Sequence, residues 1–186
     1  MCCATEREVT LDCPSDCEYL AASRQHEGER REIDLSKIPF ADIRIPPEVM
    51  AGYEPLVSAL FWVISNFAQD NRPLLDADAA AAIIALAETY RTLSSGLYYE
   101  KPPDHRLQRE LYDALKMGIA SYRERAQELG WERVRDETVR DTLIFLAQLS
   151  ALRGNGRPRG RAFLDFLRAQ SKFAAPEKLE SAIVMP

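Results

Sequence analysis

The chain contains very little histidine, and this scarcity excludes several kinds of catalytic centre. Of its 186 residues only two are histidines, His26 and His105. A di-iron centre in a helical bundle needs a Glu-x-x-His pair on each of two helices, and neither histidine has a glutamate three residues before it. No G-x-S-x-G, G-x-x-x-x-G-K-[ST] or G-x-G-x-x-G motif occurs either. These absences favour a protein that is not an enzyme.

Long apolar runs are also missing from the sequence. The longest runs, such as residues 56–64, are much shorter than the roughly 20 residues that a membrane-spanning helix needs. The N-terminus lacks the apolar core of a signal peptide. A net charge of −5 argues against general coating of nucleic acid. We therefore expect a soluble, cytoplasmic protein with no membrane partner.

Cysteine is absent after residue 17, although four cysteines precede that point. In a reducing compartment, clustered cysteines are more often metal ligands or redox thiols than structural disulfides. The four are Cys2, Cys3, Cys13 and Cys17. Their distribution indicates that residues 1–26 form a Cys-rich metal-binding knuckle.

The second pair of cysteines lies beside a predicted helix start. Ser15, followed three residues later by Glu18, has the form of a capping box. This spacing places Cys17 in the first helical turn and Cys13 on the loop before it. The positive end of a helix dipole favours thiolates. Upstream, the alternation in "REVTLDC" predicts a short strand that ends at Cys13.

This order of knuckle, strand and helix resembles half of a treble-clef zinc site over residues 2–20. A structural zinc site takes four ligands, and Cys13 and Cys17 supply two. Cys2 and Cys3 together complete the set, or His26 replaces one of them, or cysteines that precede the present sequence contribute. An iron–sulfur cluster also accepts four thiolates, and redox-active thiols or a disulfide pair are the remaining interpretations. We expect Zn²⁺ as the cofactor.

From about residue 51 the apolar residues recur with a helical period. The sequence therefore predicts an all-α fold: a bundle of about five helices at residues 51–186, joined by an extended linker at 27–50 to the small zinc-knuckle-like segment. Asp76 or Asp78 is expected to cap the second bundle helix, and the fourth, around residues 143–152, to be the most buried. The predicted inward-facing residues of the other four are Val57, Leu60, Phe61, Ile64, Phe67 and Ala68; Ile83, Leu86, Ala87, Tyr90 and Leu97; Leu107, Leu111, Leu115, Ile119, Tyr122, Ala126 and Leu129; and Phe163, Leu164, Phe166 and Leu167.

A second distinctive feature is a basic loop, which we call the arginine loop, at residues 153–161. Residues 150–172 carry a charge of +5, which leaves −10 for the rest of the chain. Cations at the start of a helix oppose its dipole, so something must offset that cost. Either acidic residues of the chain pair with the loop, or it binds an anion such as phosphate or nucleic acid. The arginines are Arg153, Arg157, Arg159 and Arg161.

Taken together, these patterns predict a non-enzymatic, zinc-binding helical protein that acts as an interaction or regulatory module with a protein partner. The first alternative is a nucleic-acid or phosphate-binding protein that uses the arginine loop. The second alternative is a metal–thiolate enzyme or redox protein.

Overall fold

The computed structural model describes residues 6–14, 16–30 and 35–171, and within these ranges the protein is helical with no strand. The predicted all-α fold is thus confirmed. No helix of these ranges combines the length and the apolar character that crossing a bilayer requires. A 3₁₀ turn covers Leu35–Lys37, and the α-helices are α1 Glu18–Arg30, α2 Pro47–Gly52, α3 Glu54–Asp70, α4 Asp76–Ser94, α5 Arg106–Glu128, α6 Asp136–Arg153 and α7 Ala162–Ser171.

The core lies between α4 and α6, which make the most extensive helix–helix contact. Helix α3 packs against both α5 and α7. Helix α6 is the helix that was predicted to be the most buried, and it faces the core on much of its surface. Its buried residues are Val139, Thr142, Leu143, Ile144, Leu146, Ala147 and Ser150. Removing such a face from water is the main favourable contribution to folding.

The turn signals in the sequence place most helix ends correctly. Gly96 and Gly130 follow α4 and α5 and have φ angles of 83° and 69°, which glycine adopts without a steric cost. The predicted apolar stripes of these two helices nevertheless reach too far along the sequence. Leu97 and Leu129 were predicted to face inward, but both are exposed. Both residues lie beyond the last helical residue, where the 3.6-residue period no longer directs a side chain to the core.

The middle of the predicted linker is anchored on the bundle. Phe40, Ile43 and Ile45 pack against the hydrophobic core. The side-chain amide of Gln148 on α6 donates to the carbonyl oxygens of Phe40 and Ile43, each at 2.9 Å. This stretch therefore has fixed partners although its sequence has no regular period.

The predicted strand before Cys13 is wrong. The backbone N–H groups of residues 9–11 all donate to the carbonyl of Glu6, so the chain folds back in a tight turn with one isolated bridge between Arg7 and Leu11. Glu8 at the centre of the turn has a φ angle of 55°, which is incompatible with an extended strand. The turn directs the Glu8 side chain into the protein, where it is buried.

Candidate functional site

The structure places the two central cysteines at the start of α1. Cys13 lies on the non-helical loop, as predicted, and Cys17 directly precedes the first helical residue instead of lying in the first turn. The N–H of Cys17 donates to the carbonyl of Pro14 at 3.1 Å, and its own carbonyl accepts from Leu20 and Ala21. Both thiols are partly exposed and neither forms a disulfide.

The other predicted metal ligands cannot be placed around this pair. Cys2 and Cys3 lie outside the described residues, as does Ser15, the predicted cap. His26 belongs to α1, but its side chain also lies outside the described part. Among the side chains that are described, no three His, Cys, Asp or Glu residues form a group that could hold a metal ion. Two of the five candidate ligands are therefore held beside one helix start.

The carboxylate of Glu8 joins this N-terminal segment to the arginine loop. One oxygen accepts from Arg24 of α1 at 2.6 Å and from the backbone N–H of Arg161 at 3.2 Å. The other accepts from the amide of Asn155 at 2.5 Å. The backbone carbonyl of Glu8 also accepts from the N–H of Arg159 at 2.9 Å. A buried carboxylate needs such partners, because an unpaired one would carry a large desolvation cost.

The guanidinium of Arg24 extends this network to α7. It donates to Asp165 of α7 at 2.5 Å as well as to Glu8. Burial alone would lower the pKa of Arg24, but its bonds to the two carboxylates outweigh burial and raise the pKa. Helix α1 is therefore attached to α7 through one charge-assisted hydrogen bond and to the N-terminal turn through a second, and such bonds are stronger than bonds between neutral groups.

The first two arginines of the arginine loop have partners within the protein. The guanidinium of Arg153 lies over the ring of Phe166, 4.6 Å from its centre, a cation–π geometry. Arg157 donates to the backbone carbonyl of Arg7 at 2.5 Å. Neither contact needs an external ligand.

The last two arginines of the loop are also engaged within the protein. Arg159 pairs with Asp12 at 2.9 Å. The guanidinium of Arg161 donates to the carbonyl of Ala68, near the C-terminus of α3, and to that of Arg72. A cation is favourable at a helix C-terminus. Arg161 directly precedes the N-terminus of α7, where a cation is unfavourable, but its guanidinium lies at the C-terminus of α3, where a cation is favourable.

The N-terminus of α7 is in turn capped by a residue from α4. The carboxylate of Asp76 accepts the backbone N–H groups of Phe163 and Leu164 at 3.0 and 3.1 Å. At the start of α4 itself the N-cap residue is Leu75, and Asp78, at the third helical position, accepts the N–H of Leu75 at 3.2 Å. Burial raises the pKa of Asp76 to about 6, although the two N–H donors and Arg24 act in the opposite direction.

Acidification is expected to stabilise the wild-type protein relative to an Asp76→Asn variant by about 2 kcal/mol between about pH 7 and pH 4. Burial raises the native-state pKa of Asp76 to about 6, whereas an unfolded chain has the ordinary aspartate pKa of about 3.9. Between these two pKa values Asp76 binds a proton in the native state but not in the unfolded state. The stability gained from this proton is therefore complete below the ordinary pKa and is lost as the pH rises through about 6. Urea titrations of both proteins across this range measure the difference, and parallel profiles would contradict it.

Two glycines of the arginine loop are required by close packing. A Cβ on Gly154 would lie 2.7 Å from the backbone carbonyl oxygen of Ser150, and one on Gly160 would lie 2.3 Å from the side-chain oxygen of Asn155. Any side chain at position 160 would therefore displace the amide that binds Glu8. These two glycines therefore allow the arginine loop to pack closely against neighbouring atoms of the protein.

A separate cluster of polar side chains connects α4, α5 and the segment between them. Glu100 accepts from Lys116 at 2.5 Å, from the hydroxyl of Tyr112 at 3.0 Å and from Tyr98. Hydrogen bonds from Lys116 and Tyr98 lower the pKa of Glu100 to about 2. The hydroxyl of Tyr112, which is fully buried, lies 3.1 Å from that of Thr89. These groups satisfy one another, which is typical of a structural network.

Comparison of the chain with protein-family models, with curated proteins and with solved structures finds no match. The function must therefore be inferred from the residues themselves. Sequence reasoning identified the cysteines and the arginine loop but missed Glu8, Arg24 and Asp76 as the residues that connect them. A buried carboxylate in a charged stretch has no local sequence signature, since its partners are up to 153 residues away.

Proposed function

We propose that this protein is a non-enzymatic, zinc-binding helical protein whose N-terminal segment acts as an interaction or regulatory module. The observation that carries the proposal is the position of Cys13 and Cys17. Two thiols that form no disulfide lie four residues apart at the start of α1, on a segment that Glu8 and Arg24 attach to the bundle.

The donor set of the segment suits zinc. Cys13 and Cys17 provide two thiolates, and the proposed set is completed by Cys3 together with Cys2 or His26. Zinc accepts both sulfur and imidazole nitrogen in a tetrahedral site. An ion bound here would link the loop at residues 9–17 to the N-terminus of the chain, and its binding energy would contribute directly to the order of the segment. An iron–sulfur cluster is the alternative for a set of four thiolates.

The exposed surface of the segment supports a protein partner. Val9, Leu11 and Tyr19 are large apolar side chains that remain exposed while Glu8 and Leu20 are buried. Tyrosine is enriched in protein–protein interfaces because it offers a large contact area and a polar hydroxyl. In this proposal zinc fixes the loop that presents these side chains, so the metal controls partner binding without taking part in a reaction.

Removing zinc with a chelator is expected to loosen the N-terminal segment and leave the bundle intact. Hydrogen exchange at residues 9–25 should become at least about tenfold faster, since the bound metal contributes to local order. Exchange in α4 and α6 should not change, because both helices have their own buried faces. Exchange is measured by mass spectrometry before and after chelation. Unchanged exchange at residues 9–25, or equal loosening of α4 and α6, would contradict the proposal.

A further inference from the structure

A cleft of about 1060 Å³ separates the N-terminal loop from the surface formed by α3 and α7. Cys13 lies on one wall, and the opposite walls include Ser65, Gln69, Arg72 and Arg161. Cavities that bind small molecules usually have volumes of about 300–1,000 Å³, so this cleft is large enough for a metabolite-sized ligand. Two of its lining residues belong to the network of Glu8: the backbone N–H of Arg161 donates to Glu8, and Asp165 pairs with Arg24.

Two donors in the wall of this cleft are left without an acceptor. Ser65 is 2% exposed, and its hydroxyl has no hydrogen-bond partner within the described residues. A helical serine in an apolar setting usually bonds to the carbonyl four residues earlier. The Nε of Arg161 is also buried and unpartnered in the same part of the chain. Buried polar groups that lack partners are rare in native proteins.

The positive charge in the cleft is only partly neutralised. Asp12 pairs with Arg159, and Asp165 pairs with Arg24. The guanidinium of Arg161 donates to the backbone carbonyl oxygens of Arg72 and Ala68 and to no carboxylate within the described residues, and Arg72 has no ion pair in that part of the chain. Two guanidinium groups therefore face the cleft without a carboxylate of their own. Guanidinium groups match the geometry of phosphate oxygens through paired N–H donors.

The surroundings favour a compact anion over a polymer. Asp12 and Asp16 line the same cleft and are exposed, and the whole chain carries a net charge of −5. A long polyanion would have to pass these carboxylates along its length, whereas one phosphate group needs only the local positive charge.

We propose that this cleft binds the phosphate group of a small phosphorylated molecule, with Arg72 and Arg161 pairing with the phosphate and Ser65 lying in the wall beside them. None of these three residues is a candidate ligand of the metal proposed at Cys13 and Cys17, although Cys13 lies on a wall of the same cleft. Arg161 anchors the group from the protein side, and Arg72, which is exposed, closes over it from solvent.

The test is calorimetric titration of the full chain with pyrophosphate at constant ionic strength. Arg72→Gln should weaken binding roughly tenfold, because a charged hydrogen-bond donor is lost, and should leave the unfolding midpoint unchanged because the side chain is exposed. Arg161→Gln should weaken it at least as much. Arg106→Gln is the control, because the Arg106 side chain is 82% exposed and forms only an i,i+4 pair on α5. The affinity of this variant for pyrophosphate should stay within about twofold of that of the wild type.

Results of two kinds would overturn the proposal. One is absent pyrophosphate binding, or equal affinity of the wild type and Arg72→Gln. The other is tighter binding of a single-stranded oligonucleotide with a steep dependence on salt, which would indicate a surface for polyanions. Binding of pyrophosphate but not of the oligonucleotide, with loss in the two cleft variants alone, supports it.

Discussion

Replacing Glu8 with alanine is expected to lower the free energy of unfolding by about 3 kcal/mol, since removing one member of a buried ion pair leaves the other charge uncompensated. The Glu8 carboxylate is buried and accepts from Arg24, Asn155 and the backbone of Arg161. The substitution leaves all three donors without this acceptor. Urea denaturation of the wild type and the variant at neutral pH measures the loss.

A matched control separates this network from a general effect of acidic residues. Glu132 is also acidic, but its side chain is 85% exposed and 3.6 Å from Arg135, so Glu132→Ala should change stability by less than about 0.5 kcal/mol. Arg24→Ala should be destabilising as well, and the double variant of Glu8 and Arg24 should cost less than the sum of the two, because the residues are in direct contact. A Glu8→Ala protein as stable as the Glu132→Ala control would show that the network contributes little.

Replacing Cys13 or Cys17 with serine is expected to abolish stoichiometric zinc binding. A structural zinc site uses four ligands, and a set reduced to two or three seldom retains the ion against competitors. Both residues lie at one helix start, so each variant removes a ligand from the best-defined half of the site. Zinc retained by a folded Cys13→Ser or Cys17→Ser protein would exclude that residue as a ligand.

Asp16, one of the three residues between the two cysteines, provides the control for this experiment. Asp16→Ala removes an exposed side chain from the same loop and should leave one zinc per chain. Replacing His26 is informative in another way: zinc should be lost only if the imidazole completes the set in place of Cys2. Full binding by both Cys→Ser variants would show that the metal, if present, is held elsewhere.

Much of the fold could be predicted from the sequence because the signals for its helices are local. Ile83, Leu86 and Ala87 repeat at helical spacing and are fully buried on α4, as expected. Gly130 ends α5 at the predicted point. Periodicity and turn residues act over a few positions, so a single sequence contains them in full.

The connections between the elements could not be predicted in the same way. Asp76 was one of two residues expected to cap the helix in which it lies, but it caps α7, which begins 86 residues later. Glu8 was assigned to a strand, but its left-handed backbone directs the carboxylate toward Arg24 and Asn155. Long-range pairs depend on the finished packing, and a single sequence contains no record of which distant charges meet. The arginine loop was recognised, but the assignment of its partners needed the structure.

The central claim, that the N-terminal cysteines bind one zinc ion per chain, is tested most directly by elemental analysis of protein purified without a histidine tag. The same sample should be titrated for reactive thiols before and after chelation. The account predicts one zinc per chain and thiols that are protected until the chelator removes the metal. Four freely reactive thiols in a protein without metal would contradict it.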